Sequence, residues 1–309
     1  MIILSLGLCR QMVQYILLLG VLATYFSSPS QAVENLFQEH SVRTGVYLKS
    51  FPDISRYDME TVMQYWGKEI AQYIGIPIHT HVYTSIALMR NDFDRGKINV
   101  ILASPLNIIN EFDLNQLADG YMAVKQDKVA DKLLLVTQKQ SGINSIQDCK
   151  NKQLMLVEND AIGTMYIDVL MLQAFDKPAK SIFKSIQYAQ KSNQLVLNLF
   201  FDRTEVIIVY KHFYELANEL NPQIKNQTQV IATLDKVPHG LGFFHKKVPS
   251  AFREKVLAEF FKLEQTPRGE QLLTVFHAEK LVPASIDNLI AIKQLKQQYK
   301  SLASKNSTH

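Results

Sequence analysis

Between Val42 and Leu102 the chain switches repeatedly between two periodicities, and that alternation constrains the fold more than any other feature. Val42 to Phe51 (VRTGVYLKSF) reads as a strand, and Ser55 to Asp58 supplies helix-start residues. Met59, Val62, Met63, Trp66, Ile70, Tyr73 and Ile74 then recur with helical spacing and make one apolar face. Gly75 stops that helix, with Pro77 two residues beyond. Ile76, Ile78, Thr80 and Val82 alternate as a strand, a helix of about Ser85 to Arg95 ends at Gly96, and Ile98 to Leu102 is a short apolar strand. Strand, helix, strand, helix, strand in about 60 residues predicts a parallel sheet covered by helices.

The pattern recurs. Lys132 to Thr137, Gln153 to Val157, Ile182 to Tyr188 and Glu205 to Tyr210 read as strands, with helices at Thr164 to Phe175 and Asn193 to Phe201. The end is mostly helical: Ser250 to Leu263, Pro267 to His277 and Ser285 to Leu302. Two successive α/β units followed by helices predict two α/β lobes, with the last helices returning to the first.

Residues 1–32 read as a signal peptide. Arg10 precedes the apolar run Met12 to Phe26, which Ser27, Ser28, Pro29 and Ser30 break, and Ser30-Gln31-Ala32 offers small residues for cleavage. The run is shorter than the roughly 20 residues that span a bilayer. Cleavage would leave one cysteine, Cys149, expected as a partly buried, inert thiol, so no internal disulfide can form. The chain has 33 Lys and Arg against 29 Asp and Glu. Loss of Arg10 leaves a net charge of +3, spread too evenly for a nucleic-acid stripe.

In open α/β sheets ligands bind beyond the carboxyl ends of strands, where helix N-termini offer unpaired N–H groups. Four turns place hydroxyls or Gly there: Thr84-Ser85, Ser104-Pro105, Gly163-Thr164 and Ser192, although Ser and Thr also cap helices without binding anything. Tyr47, Tyr83, Tyr121 and Tyr210 stand near the same ends, and a tyrosine suits a half-wet cleft. His79-x-His81 is expected on an exposed strand face, without further metal ligands. Asp53, Asp58 and Glu60 are read as acids at a helix start, favoured by the helix dipole. No nucleophile elbow, phosphate loop or His-Glu-x-x-His motif is present, so neither catalysis nor a cofactor is expected.

From about Arg43 to Leu302 the chain resembles type II periplasmic solute-binding proteins, in the phosphate/phosphite/phosphonate-binding branch. The helix ending Tyr73-Ile74-Gly75-Ile76-Pro77, the stretch Ile98 to Pro105, Val237-Pro238-His239 and Gln265-Thr266-Pro267-Arg268-Gly269 carry the likeness by their order and spacing. The resemblance implies two lobes joined by crossing strands, each a mostly parallel sheet flanked by helices. Residues 33–135 plus 240–309 would form lobe one, and 136–239 lobe two. It also implies a monomer that closes on a small molecule without catalysis. Its partner would be the membrane permease of an ABC importer or, alternatively, a membrane sensor such as a histidine kinase or diguanylate cyclase. Carried over by position, Tyr47, Tyr83 and Ser104 would line one side of the cleft, and Gly163 and Thr164 the other. Glu205, Tyr210 and His239 would stand near the mouth or hinge. One turn departs from the family pattern: Glu158-Asn159-Asp160-Ala161-Ile162-Gly163-Thr164 carries two acids that would repel a dianion. Glu205 could pair with an amino group. The implied ligand is therefore anionic or zwitterionic and phosphonate-like.

Overall fold

Ser55 begins the first long helix as expected, its hydroxyl accepting the Asp58 N–H, and Gly75 ends it in the left-handed conformation at φ 66°. This helix, α1 (Arg56–Ile74), buries Met59, Met63, Trp66, Ile70 and Ile74, whereas Tyr73 lies exposed. The computed structural model describes residues 37, 41–125, 127–238, 240–276 and 278–306. The expected signal segment 1–32 and His239 lie outside these residues. The chain divides at Glu39, and everything below concerns residues 40–309. Among the described residues no helix is long and apolar enough to cross a membrane.

The chain order is β1 (Val42–Tyr47), α1, β2 (Ile78–Tyr83), α2 (Ile86–Asp94), β3 (Val100–Ala103), α3 (Pro105–Glu111), β4 (Leu117–Val124) and β5 (Ala130–Gln138). Next come β6 (Gln153–Val157), α4 (Ala161–Phe175), α5 (Ala179–Ile182), β7 (Ser185–Ala189), α6 (Ser192–Phe200), β8 (Val206–Tyr210), α7 (Lys211–Leu220) and α8 (Gln223–Gln227). The chain ends with β9 (Thr228–Pro238), β10 (Leu241–His245), α9 (Ser250–Phe260), α10 (Pro267–Val275), β11 (Lys280–Ala284) and α11 (Ile290–Asn306).

These strands make two sheets, ordered β11-β4-β10-β3-β1-β2 and β7-β6-β8-β5-β9. The sheets are mixed rather than mostly parallel. The βα units pair in parallel, β2-β1-β3 in one sheet and β7-β6-β8 in the other. The antiparallel remainder has a physical cause. The chain leaves the first sheet along β4 and re-enters it along β10, and it enters the second along β5 and leaves along β9. Each outgoing strand therefore pairs against its returning neighbour.

Each sheet is covered on both faces. In the second, Leu154, Leu156, Val206 and Ile208 pack under α4 with Ile162 and Tyr166. Met155, Val157, Ile207 and Val209 face Leu195 and Leu199 of α6. Helices α9 and α10 stay with the first lobe, but Ile292 and Leu295 of α11 join the core under α4. The final helix therefore packs chiefly on the second lobe. Cys149 is fully buried, and burial pushes its thiol up to about 12, which keeps it inert.

Pro267 occupies the first turn of α10, and the Thr266 hydroxyl accepts the Gly269 N–H at 3.0 Å. Thr266→Ala leaves that donor unpaired and should lower stability by about 1 kcal/mol. A melting temperature reduced by about 2–4 °C in calorimetry is the expected reading.

Candidate functional site

The carboxyl ends of β1, β3, β6 and β8 converge between the two sheets on a cavity of about 260 Å³. Its first-lobe rim is the turn after β1, from Ser50 to Ile54, and the start of α3 at Ser104. Its second-lobe rim is Asn159 and Asp160 after β6, Ser192 at the start of α6, Tyr210 at the end of β8 and His212 beyond it. Lys125, just beyond β4 where the chain crosses between lobes, supplies a cation.

Hydrogen bonds set this geometry. Ser50 Oγ accepts from the Ser104 N–H at 2.8 Å and from Asn107 Nδ2 at 3.2 Å, tying the first turn to the N-terminus of α3. Asp160 caps α4, its Oδ1 accepting the Gly163 N–H at 2.9 Å and the Tyr210 hydroxyl at 3.4 Å. A Cβ at position 163 would fall 2.4 Å from Asp160 Oδ2, so glycine is what lets the carboxylate fold back over the helix. Across the cavity, Asp53 of the first lobe accepts the Ser192 N–H at 2.7 Å and the Ser192 hydroxyl at 2.9 Å. The N-termini of α4 and α6 are thus held by the protein's own carboxylates.

Burial dominates the electrostatics. It pushes Asp160 up to about 6, against the lowering effect of the Gly163 N–H and the Tyr210 hydroxyl, with the Asp53 charge adding to the rise. Burial lowers Lys125, and the charges of Asp131 and Asp53 oppose that shift. Tyr210 is raised by burial and then by Asp160, so it remains a hydrogen-bond donor throughout the physiological range. His212 Nδ1 is hydrogen-bonded to Asp131, which orients the ring at the rim.

A family model described as ABC transporter, phosphonate, periplasmic substrate-binding protein matches residues 49–289. The chain belongs to this family of phosphonate-type periplasmic binding proteins. Its members are substrate-binding components of ABC transporters rather than enzymes. No curated protein sequence matches the chain. Solved structures share the fold. A binding protein component of an ABC phosphonate transporter from Pseudomonas aeruginosa is 15% identical, with a TM-score of 0.62, covering 87% of this chain and 89% of its own. PhnD1 from Prochlorococcus marinus, in complex with methylphosphonate, is 13% identical, with a TM-score of 0.62, covering 84% of this chain and 98% of its own. The periplasmic aliphatic sulphonate binding protein SsuA from Escherichia coli is 11% identical, with a TM-score of 0.51, covering 87% and 88%.

In this phosphonate-type binding protein, Ser104 and Tyr210 line the cavity, and Gly163 and Thr164 stand one turn behind Asp160. Thr164 donates its hydroxyl to the Asp160 carbonyl at 2.8 Å. Tyr47, Tyr83 and Glu205 are placed elsewhere. Strand pleating turns Tyr47 to the opposite face from Val46, into a core with Met89 and Phe93 under α2. Tyr83 shares that core, and its hydroxyl donates to Asp92 at 2.9 Å. Glu205 stands at the amino end of β8, where it accepts the Gln153 N–H at 2.9 Å and pairs with Lys152 at 3.2 Å. The five residues of β8, roughly 16 Å of strand, separate it from the cavity. Asp160 faces the cavity whereas Glu158 is exposed outside its lining.

Asp53 and Lys125 are among the cavity residues that sequence reasoning missed. Asp53 reads as a helix-start acid, but Ser55 is the true cap, which frees Asp53 two residues earlier to reach the other lobe. Lys125 lies on a crossing segment that carries no motif at all.

Proposed function

We propose that this binding protein captures a small anionic or zwitterionic, phosphonate-like molecule between its lobes and presents it to the permease of an ABC importer. The observation that carries this reading is the meeting of Lys125 with the hydroxyls of Ser104, Ser192 and Tyr210 in one cavity between two sheets. In the structure Ser192 and Tyr210 donate to Asp53 and Asp160, so a headgroup that takes over these hydroxyls beside Lys125 would meet a cation and several donors, a set that suits a tetrahedral anion. Asp160 and Asp53 in the same cavity suit a positive group on the ligand, or a headgroup of low charge. Lobe closure would bury the ligand and create the surface that the permease reads. The methylphosphonate complex of one fold relative and the sulphonate named for another support a headgroup of this class.

Thermal shift with methylphosphonate, aminoethylphosphonate, methanesulfonate and inorganic phosphate tests the reading. A ligand present at 100 times its dissociation constant adds about 2.7 kcal/mol of stability. Lys125→Met should weaken binding of the best of these about tenfold in calorimetric titration, as expected for losing one charge-assisted contact. Unchanged affinity in that variant, or no stabilisation by any of the four compounds, would overturn the assignment.

A further inference from the structure

The cavity has two chemically different ends. The polar groups gather where the lobes meet, but most of the remaining lining is hydrocarbon, and much of it, including Met63, Trp66, Ala123, Leu273 and Leu281, belongs to the first lobe. Its floor is the face of the first sheet that carries Leu102, Tyr121, Ala123 and Leu281, and the register explains why that floor is low. Gly242 pairs with both Leu102 and Tyr121, and Leu281 pairs with Ala123. Gly240 lies beside Ala123, whose N–H donates to the Gly240 carbonyl at 3.4 Å. A Cβ at Gly240 would meet only the Phe51 ring, at 3.6 Å, whereas the Tyr121 ring lies directly over Gly242. Gly240 and Ala123 thus withhold side chains from the floor, while Gly242 makes room for the Tyr121 ring.

The roof is supplied by α1 and α10. Met63, Trp66 and Leu273 are 3%, 6% and 3% exposed and border the same space. The walls are braced by edge-to-face rings: Trp66 on Phe260 at 5.4 Å, Tyr121 on Phe260 at 5.3 Å and Phe51 on Phe276 at 6.3 Å. Protein interiors ordinarily close such space with side chains. A hydrocarbon-lined chamber opening onto a polar headgroup site matches a ligand with a polar end and an apolar body.

We propose that the ligand class is amphiphilic, an alkyl- or arylphosphonate whose headgroup sits at the lobe junction and whose hydrocarbon body lies in the chamber between α1, α10 and the first sheet. The inference rests on the headgroup reading above and extends it to the rest of the molecule. Specificity then comes from the chamber's length and width as well as from the charge at its mouth.

Calorimetric titration of the whole protein with methyl-, butyl-, hexyl- and phenylphosphonate tests it. Each added methylene that enters the chamber should tighten binding about fourfold until the chamber is full. Ala123→Phe places a ring on the floor and should abolish this gain with chain length. Equal affinity for methyl- and hexylphosphonate in the wild-type protein would overturn the apolar-chamber assignment and leave the headgroup reading standing. Failure of every phosphonate to bind would overturn the headgroup reading itself. Hexanol binding as tightly as hexylphosphonate would show that the chamber acts without the headgroup site, and would also overturn the proposal. Should Ala123→Phe not fold, the wild-type series alone decides between these outcomes.

Discussion

Asp53→Ala is expected to open the unliganded protein. In the structure one carboxylate from the first lobe receives both the N–H and the hydroxyl of Ser192, at 2.7 and 2.9 Å, 139 residues away in the chain. The acceptor is charged, and it sits at the positive end of α6. A charge-assisted hydrogen bond of this kind contributes about 2 kcal/mol, so its loss should shift the ratio of closed to open molecules about thirtyfold. Small-angle scattering of the ligand-free variant should show a larger radius of gyration than wild type, with the thermal midpoint little changed because neither lobe loses its core. Asp53→Asn keeps an acceptor without the charge and should fall between the two. A wild-type radius of gyration in Asp53→Ala would show that this contact does not hold the lobes together. The same substitution frees the Ser192 donors and removes a negative charge from the cavity, so anionic ligands should bind the opened variant more tightly per closed molecule.

Anion binding should also strengthen as the pH falls, through Asp160. Its carboxyl group titrates near 6, above the ordinary 3.8, because burial penalises the charged form. A raised carboxylate disfavours the folded state at pH values above about 6, and this penalty is relieved as pH falls through 6 toward 3.8. An incoming anion sharpens the effect. At an intermediate dielectric, two negative charges about 4 Å apart repel by about 4 kcal/mol. Protonating Asp160 at pH 7.5 costs only about 2 kcal/mol, at 1.36 kcal/mol for each pH unit above its midpoint. The anion should therefore bind with uptake of a proton, and affinity should rise about fifteenfold between pH 7.5 and 6, where half of the free protein already carries that proton. Methanesulfonate stays singly charged over this range and isolates the protein's contribution. With phosphonates, Asp160→Asn supplies the same control, since whatever pH dependence survives belongs to the ligand. Titration in buffers of different ionisation enthalpy counts the proton directly. An affinity independent of pH in the wild-type protein would place the anion away from Asp160.

The parallel part of the architecture was legible because buried parallel strands are short apolar runs between helices. The segments around Val100, Leu154 and Val206 each show this pattern. The strands β4, β9, β10 and β11 were not, and each hides its period in a different way. Asp119-Gly120 interrupts β4. The strand β9 (TQVIATLDKVP) is half-exposed and shifts register twice against β5. Gly242 sits inside the five residues of β10, and Pro283 inside β11. These are strands that join or finish the lobes, so their pairing depends on partners 90 or more residues away rather than on their own pattern.

The site divides along the same line. Ser104 and Tyr210 could be placed because they end strands, and a strand end in an α/β unit has one predictable outlook. Tyr47 and Tyr83 also end strands, but which face of a pleat meets the cavity depends on which helices cover it, and α2 takes theirs. The order of strands and helices, their caps and the family likeness were thus written locally, in periodicity and in turn residues. The cavity was not. Its clasp joins Asp53 to Ser192, its cation Lys125 stands on a crossing segment, and its floor is lowered by Ala123 and Gly240, which come together only when distant segments pair in the sheet. Such features arise from the register and juxtaposition of distant segments, which no local pattern encodes.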